Sequence, residues 1–198
     1  DNRFIDYFKD DTEIYRGMEL IDRSLGGTTP LDVIIDAPPA PVETGSNSTG
    51  PDSADEAFMD DFFPPPEGEA GITGTSYWFN SYQLSEVAAI HDFLDGLPET
   101  GKVLSVITAT RMLETLNNGK PIDDFFLSVL FKKLPEDVKQ SLFNPYLSED
   151  GDQIRFGIRV FESDRSLQRE VLIEKIRRHL VDYMQIDEEQ VHVSGMLV

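Results

Sequence analysis

The sequence predicts an α+β domain: a four-stranded, mainly antiparallel sheet with helices on one face. Three observations predict it. QIRFGIRVF (153–161) alternates strictly, with Ile154, Phe156, Ile158 and Val160 on one side and Arg155, Gly157, Arg159 and Phe161 on the other, which is the pattern of a half-buried strand. Three segments carry apolar residues at helical spacing, near 12–25, 82–96 and 165–184. After the first helix the order reads strand, helix, strand, helical insertion, strand, helix, strand.

Asp11 or Thr12 can cap the first helix. Its stripe is Ile14, Met18, Ile21 and Leu25, expected to face the core, and Gly26-Gly27 ends it. LDVIID (31–36) is a strand stopped by Pro38-Pro39. Leu84, Val87, Ile90, Leu94 and Leu97 mark the next helix, ended by Gly96 and Pro98. KVLSVIT (102–108) is expected as a strand. The helical insertion, 109–148, holds Met112, Leu113 and Leu116, then Ile122, Phe125, Phe126, Val129 and Leu130, then a helix opened by Pro135 with Val138 and Leu142. Glu149-Asp150-Gly151-Asp152 is a turn, since it lacks the spaced carboxylates of a calcium loop. The helix over 165–184 is expected to bury Val171, Leu172, Ile176, Leu180, Tyr183 and Met184, and a last strand starts at Val191. Without the insertion this order is a split βαβ (ferredoxin-like) repeat, a single domain over 1–198.

The charge is local. Of 37 acidic and 17 basic residues, the stretch between Arg23 and Lys102 holds fourteen acids and no Lys or Arg, so it carries −14 of the net −20. Its centre, 37–76, is rich in Pro, Gly, Ser and Asp and reads as a largely irregular insertion. Phe58, Met59, Phe62 and Phe63 interrupt the acids there, as a loop pinned by aromatics or a flap over a binding surface. Such acidity argues against nucleic acid or anionic lipid surfaces as partners. No apolar run approaches the ~18–20 residues that span a bilayer. The chain opens on Asp1 without a signal-peptide pattern, as expected of a segment of a longer protein.

Catalytic patterns are scarce. The absence of Cys removes disulfides, thiolate metal sites and cysteine nucleophiles. His91, His179 and His192 show no metal-ligand spacing, no Ser lies in a nucleophile elbow, and no glycine loop precedes a helix. Asp60-Asp61 and Asp123-Asp124 read as solvated surface. No enzyme activity, cofactor or metal is expected. Tyr77, Trp78 and Phe79 stand out, because three adjacent aromatics on a regular element cannot all face one core.

FIDYFKDDTEIYRGMELIDRSLGGTTPLDVII, LPETGKVLSVITATRML, LPEDVKQSLFNPYLSEDGDQIRFGIRVFESD and VHVSGMLV together resemble an extracytoplasmic loop of bacterial exporters of the resistance–nodulation–division superfamily, in the hydrophobe, amphiphile and lipid-exporting branch related to mycobacterial large membrane proteins and Patched-like proteins. The likeness covers nearly the whole chain outside 37–76. It implies a non-catalytic porter domain on the periplasmic side of the inner membrane, driven by protons through the absent transmembrane helices and passing an amphiphilic or lipid-like substrate. Residues 1–10 would leave one membrane helix and Met196-Leu197-Val198 enter the next, so residues near 5–10 and 194–198 should share one end of the domain. Partners would be the rest of the transporter with its other loop domain, a further copy or a periplasmic accessory protein. Phe62, Phe63, Tyr77, Trp78 and Phe79 are the candidate substrate-binding residues. The competing reading is a periplasmic interaction module whose acidic insertion binds a partner.

Overall fold

A computed structural model describes residues 7–39, 76–120, 127, 133–164 and 167–195. Helix α1, Glu13–Leu25, starts where the Thr12 side chain accepts a hydrogen bond from Tyr15 N–H, and ends at Gly26, whose φ of 70° suits a residue without Cβ. The expected stripe is not what α1 buries. Ile14, Ile21 and Leu25 are each more than half exposed, while Tyr15 and Asp22 are buried. Those two residues lie about 90° around the helix from the stripe, at 100° per residue. The reason is polar: Asp22 is held at the loop after the third strand by hydrogen bonds from Ser163 N–H (2.8 Å) and Oγ (2.6 Å).

Strand β1, Thr29–Asp36, buries Leu31, Val33 and Ile35 completely. Helix α2, Ser81–Asp95, is capped by the Asn80 side chain, which accepts from Gln83 N–H at 2.9 Å. It buries Val87, Ile90, His91 and Leu94. Thr100 Oγ1 then donates to the carbonyls of Leu94 and Leu97, locking the turn into β2, Thr100–Leu104. The expected strand over 102–108 is therefore cut short. Ser105 caps a new helix, accepting from Ile107 N–H, while Thr108 Oγ1 accepts from Ser105 N–H. This reciprocal cap puts Val106, Ile107 and Thr108 into α3, Val106–Leu116.

Of the remaining insertion, Leu127 is buried and helical, while Ile122, Phe125, Phe126, Val129 and Leu130 lie outside the described residues. Helix α4 is Glu136–Leu142, with Pro135 one residue before it. The turn at 148–152 is tight. Gly151 has φ of 74° and faces Ser76, whose side chain lies only 2.4 Å from where a Cβ would stand. Strand β3, Gln153–Val160, keeps the alternation read from sequence. The long helix expected over 165–184 is shorter: α5 spans Arg169–Arg178 and widens into a π-helical turn, His179–Tyr183. Its burial is narrower too. Leu172, Ile176 and Leu180 are buried, but Val171 and Tyr183 are exposed, at 54% and 79%. A short 3-10 turn, Glu188–Gln190, leads into β4, Val191–Gly195.

The four strands form one antiparallel sheet in the order β2-β3-β1-β4. The connection through α2 carries the chain from β1 past β3 to β2, and that through α5 carries it from β3 past β1 to β4. The inward side chains of all four strands join the buried faces of α2 and α5 in one hydrophobic cluster. Each fully buried Leu, Ile or Phe there contributes about 1.5–3 kcal/mol. The opposite side of the sheet carries Asp32, Asp36, Lys102, Arg155, Arg159 and His192. Arg155 grips Asp32 with two nitrogens, and His192 Nε2 lies 2.8 Å from Asp36 Oδ2.

Candidate functional site: an aromatic groove between two helices

The aromatic triple at 77–79 is mostly core. Trp78 and Phe79 are buried, and the Trp78 indole N–H donates to the Asp152 carbonyl at 3.0 Å. The ring of Phe79 meets Phe143 edge-on at 5.5 Å. Tyr77 alone is half-buried, its ring edge-on to Trp78. Two neighbours can both face inward because 76–80 is not a regular element. Phe79 N–H donates to Ser76 Oγ, Asn80 Nδ2 donates to the Tyr77 carbonyl, and the chain bends between them. The structure thus does not bring Tyr77, Trp78 and Phe79 together as a surface groove. Phe62 and Phe63 lie outside the described residues.

Exposed apolar surface gathers instead between α2 and α5. A shallow cavity of about 870 Å³ is lined by Phe93, Val171, His179 and Tyr183, with Glu170, Glu174, Lys175, Arg178 and Asp182 around them. The π-helical turn sets its geometry. Met184 N–H reaches back to the His179 carbonyl, five residues earlier, so the last turn is wider than an α-helical one. His179 stacks flat on Phe93, ring centres 3.4 Å apart and planes 5° apart. Tyr183 stacks on His179 as well, at 5.1 Å and 23°. Burial holds the His179 imidazole below its ordinary pKa, so it is neutral at pH 7 and stacks as an aromatic ring. Two basic side chains at the rim are engaged: Lys175 with Glu99 and Arg178 with Glu174, both at 3.2 Å. The result is a flat apolar floor with a charged border. It can accept the apolar part of a ligand.

Two hydroxyl groups elsewhere have partners that suggest chemistry, and both are engaged in holding the fold. Ser105 Oγ lies 2.8 Å from His91 Nδ1, but Ser105 is wholly buried and its oxygen already caps α3. Burial, helped by the charge of Arg111, depresses the His91 pKa despite Asp95 and Asp92. Ser163 Oγ donates to Asp22 with no histidine among its hydrogen-bond partners. Asp22 also accepts from Thr28 Oγ1 at 2.6 Å. Burial alone would raise its pKa, yet these donors outweigh burial and hold it below the ordinary value. Among the described residues no three His, Cys, Asp or Glu side chains are placed to hold a metal ion. No helix among them is long and apolar enough to cross a membrane.

Sequence reasoning missed the groove because Tyr183 and Val171 fit the apolar stripe of a regular helix. The one usable signal was the pair His179 and Tyr183, four residues apart and therefore neighbours on a helix surface. Comparison with known proteins gives no match to any family model, curated protein or solved structure.

Proposed function

We propose that this chain is a non-catalytic porter domain of a proton-driven exporter of the resistance–nodulation–division type, on the periplasmic side of the membrane, and that the α2–α5 groove contacts an amphiphilic or lipid-like substrate. One observation carries the reading. Asp10 and Asp11 line a cavity with Phe161, Ser163 and Asp164, just past the end of β3. Val160 pairs with Thr29 at the start of β1, and Gly195 pairs with Leu31 two residues on. The segments near 10 and 195 therefore lie at one end of the sheet, as a loop between two neighbouring membrane helices requires. The strand order β2-β3-β1-β4 is compatible with the split βαβ arrangement expected of such a domain. The groove supplies an apolar face that opens to solvent.

Two measurements test this. The full reading frame that encodes the chain should carry apolar segments of about 20 residues on both sides; a frame without them overturns the reading. In the full-length protein, Tyr183→Ala with Val171→Ser should lower export of a lipophilic probe several-fold at unchanged protein level, and unchanged export removes the groove from the path. The insertion, with its run of acids and no base, supports the second reading, an interaction module for a basic partner. Deleting 40–74 discriminates between them: partner binding lost with transport intact favours the module.

A further inference from the structure

Among the described residues, α1 carries more large exposed apolar side chains than any other element. Ile14, Leu20, Ile21 and Leu25 are each more than half open to solvent. A contiguous apolar face of this kind marks a contact surface. Its spacing says what covers it. Ile14, Met18, Ile21 and Leu25 follow one another at four, three and four residues, the repeat with which one helix lies along another.

The open flank of this stripe is formed of small residues. A glycine inside a helix costs stability relative to alanine. Nothing in the domain requires one at Gly17, where a Cβ would meet no atom within 4 Å. Ser24, seven residues on and therefore on the same flank, is small too. Close approach by something outside the domain accounts for both. The stripe is also free of charge. At 100° per residue, Arg16, Glu19 and Arg23 stand on the far side of the helix, and Glu13 is the one charge of α1 beside Gly17.

We propose that the stripe pairs with the same stripe of a second copy of this chain, the two α1 helices lying parallel. Tyr15 and Asp22, buried against the domain, form one flank of the stripe, and Gly17 and Ser24 form the other. In an antiparallel two-fold pair both domain bodies would fall on one side of the helices and compete for the same space. In a parallel pair they fall on opposite sides. Each body then comes down over Gly17 and Ser24 of the other copy, where the side chains are smallest, so the face is complementary to itself. Each helix has one flank held by its own domain and the other by its partner's, which leaves no place for a third helix. The net charge of −20 opposes the pairing at a distance, but 14 of those charges lie between Arg23 and Lys102, away from the stripe. The inference stands apart from the transport reading, because association is measured on this chain alone.

The test is sedimentation equilibrium of the 198-residue chain from micromolar to submillimolar concentration, at about 0.15 and 1 M salt. A seam about 20 Å long predicts a weak dimer, in the micromolar range. It should tighten at least threefold at the higher salt, which screens the repulsion. Ile21→Gln should weaken it at least tenfold. Gly17→Leu should do the same while the thermal midpoint of the dilute chain stays level or rises, which separates a lost partner from lost folding. The chain has no Cys, so Leu25→Cys supplies a single thiol. Oxidised glutathione should link two Leu25→Cys chains through it, and should not link two Arg23→Cys chains, whose thiols stand on the far side of the helix. An antiparallel pair would instead link Leu25→Cys to Ile14→Cys in a mixture of the two. That product, a monomer at every concentration, or wild-type association of either Ile21→Gln or Gly17→Leu would overturn the proposal.

Discussion

Replacing Asp22 measures how much of the domain's stability rests on one buried carboxylate. Asp22 is only 2% exposed and accepts from Ser163 N–H, Ser163 Oγ and Thr28 Oγ1 at 2.8, 2.6 and 2.6 Å. Hydrogen bonds to a charged acceptor contribute about 1.5–3 kcal/mol each. In Asp22→Ala the two hydroxyls can turn to other acceptors, but the Ser163 N–H is fixed, and a buried unpaired donor costs about 1–3 kcal/mol. The expected loss is therefore roughly 3–5 kcal/mol, a large share of the ~5–15 kcal/mol typical of a domain. Asp22→Asn keeps one acceptor oxygen and should cost about half as much. Urea unfolding can be followed by fluorescence of Trp78, the chain's one tryptophan, buried in the core. The pH dependence gives an independent readout. The folded pKa of Asp22 lies below its ordinary value of 3.8, so its stabilisation is present above that value and fades as pH falls through the folded one. Wild type should lose more stability than Asp22→Ala on going from neutral pH to about pH 3. A loss under about 1 kcal/mol in Asp22→Ala, or identical acid sensitivity in both proteins, would refute the polar anchoring of α1.

Other outcomes follow from the same geometry. Gly27→Ala should cost about 1–3 kcal/mol in urea unfolding, because φ is 95° and a Cβ would stand 2.8 Å from the backbone of Arg159 and Val160. Gly17→Ala, in the interior of α1 with open space around it, should instead gain about 0.5–1 kcal/mol. Ile21→Gln on the exposed stripe should change stability by no more than about 0.5 kcal/mol, against about 2–5 kcal/mol for Leu172→Ala in the core. His91 and His179 both have folded pKa values below the ordinary 6.5. Their contribution is complete above that value and declines as pH falls through the folded ones, so the urea midpoint should drop between pH 7.5 and 5.5. His179→Phe, which keeps an aromatic ring on Phe93, should lessen that drop; an unchanged drop would show that His179 plays no part in it.

The sequence by itself determined the class of the fold. Strict alternation in 153–161 needs only the pleat of a strand, and the stripe Leu172, Ile176 and Leu180 needs only 3.6 residues per turn, so both survive in the structure. Periodicity says that a helix has an apolar face, however, not that the face is covered. In α1 the stripe Ile14, Ile21 and Leu25 lost to one carboxylate, because three hydrogen bonds to Asp22 at the Thr28 and Ser163 loops decided which side turns inward. The cap at Ser105 likewise overrode the β-rich reading of VIT, since a reciprocal pair of hydrogen bonds can start a helix in residues that favour strands. The groove was tertiary from the outset: Phe93 and His179 are 86 positions apart, and only the packing of α2 against a widened turn stacks them.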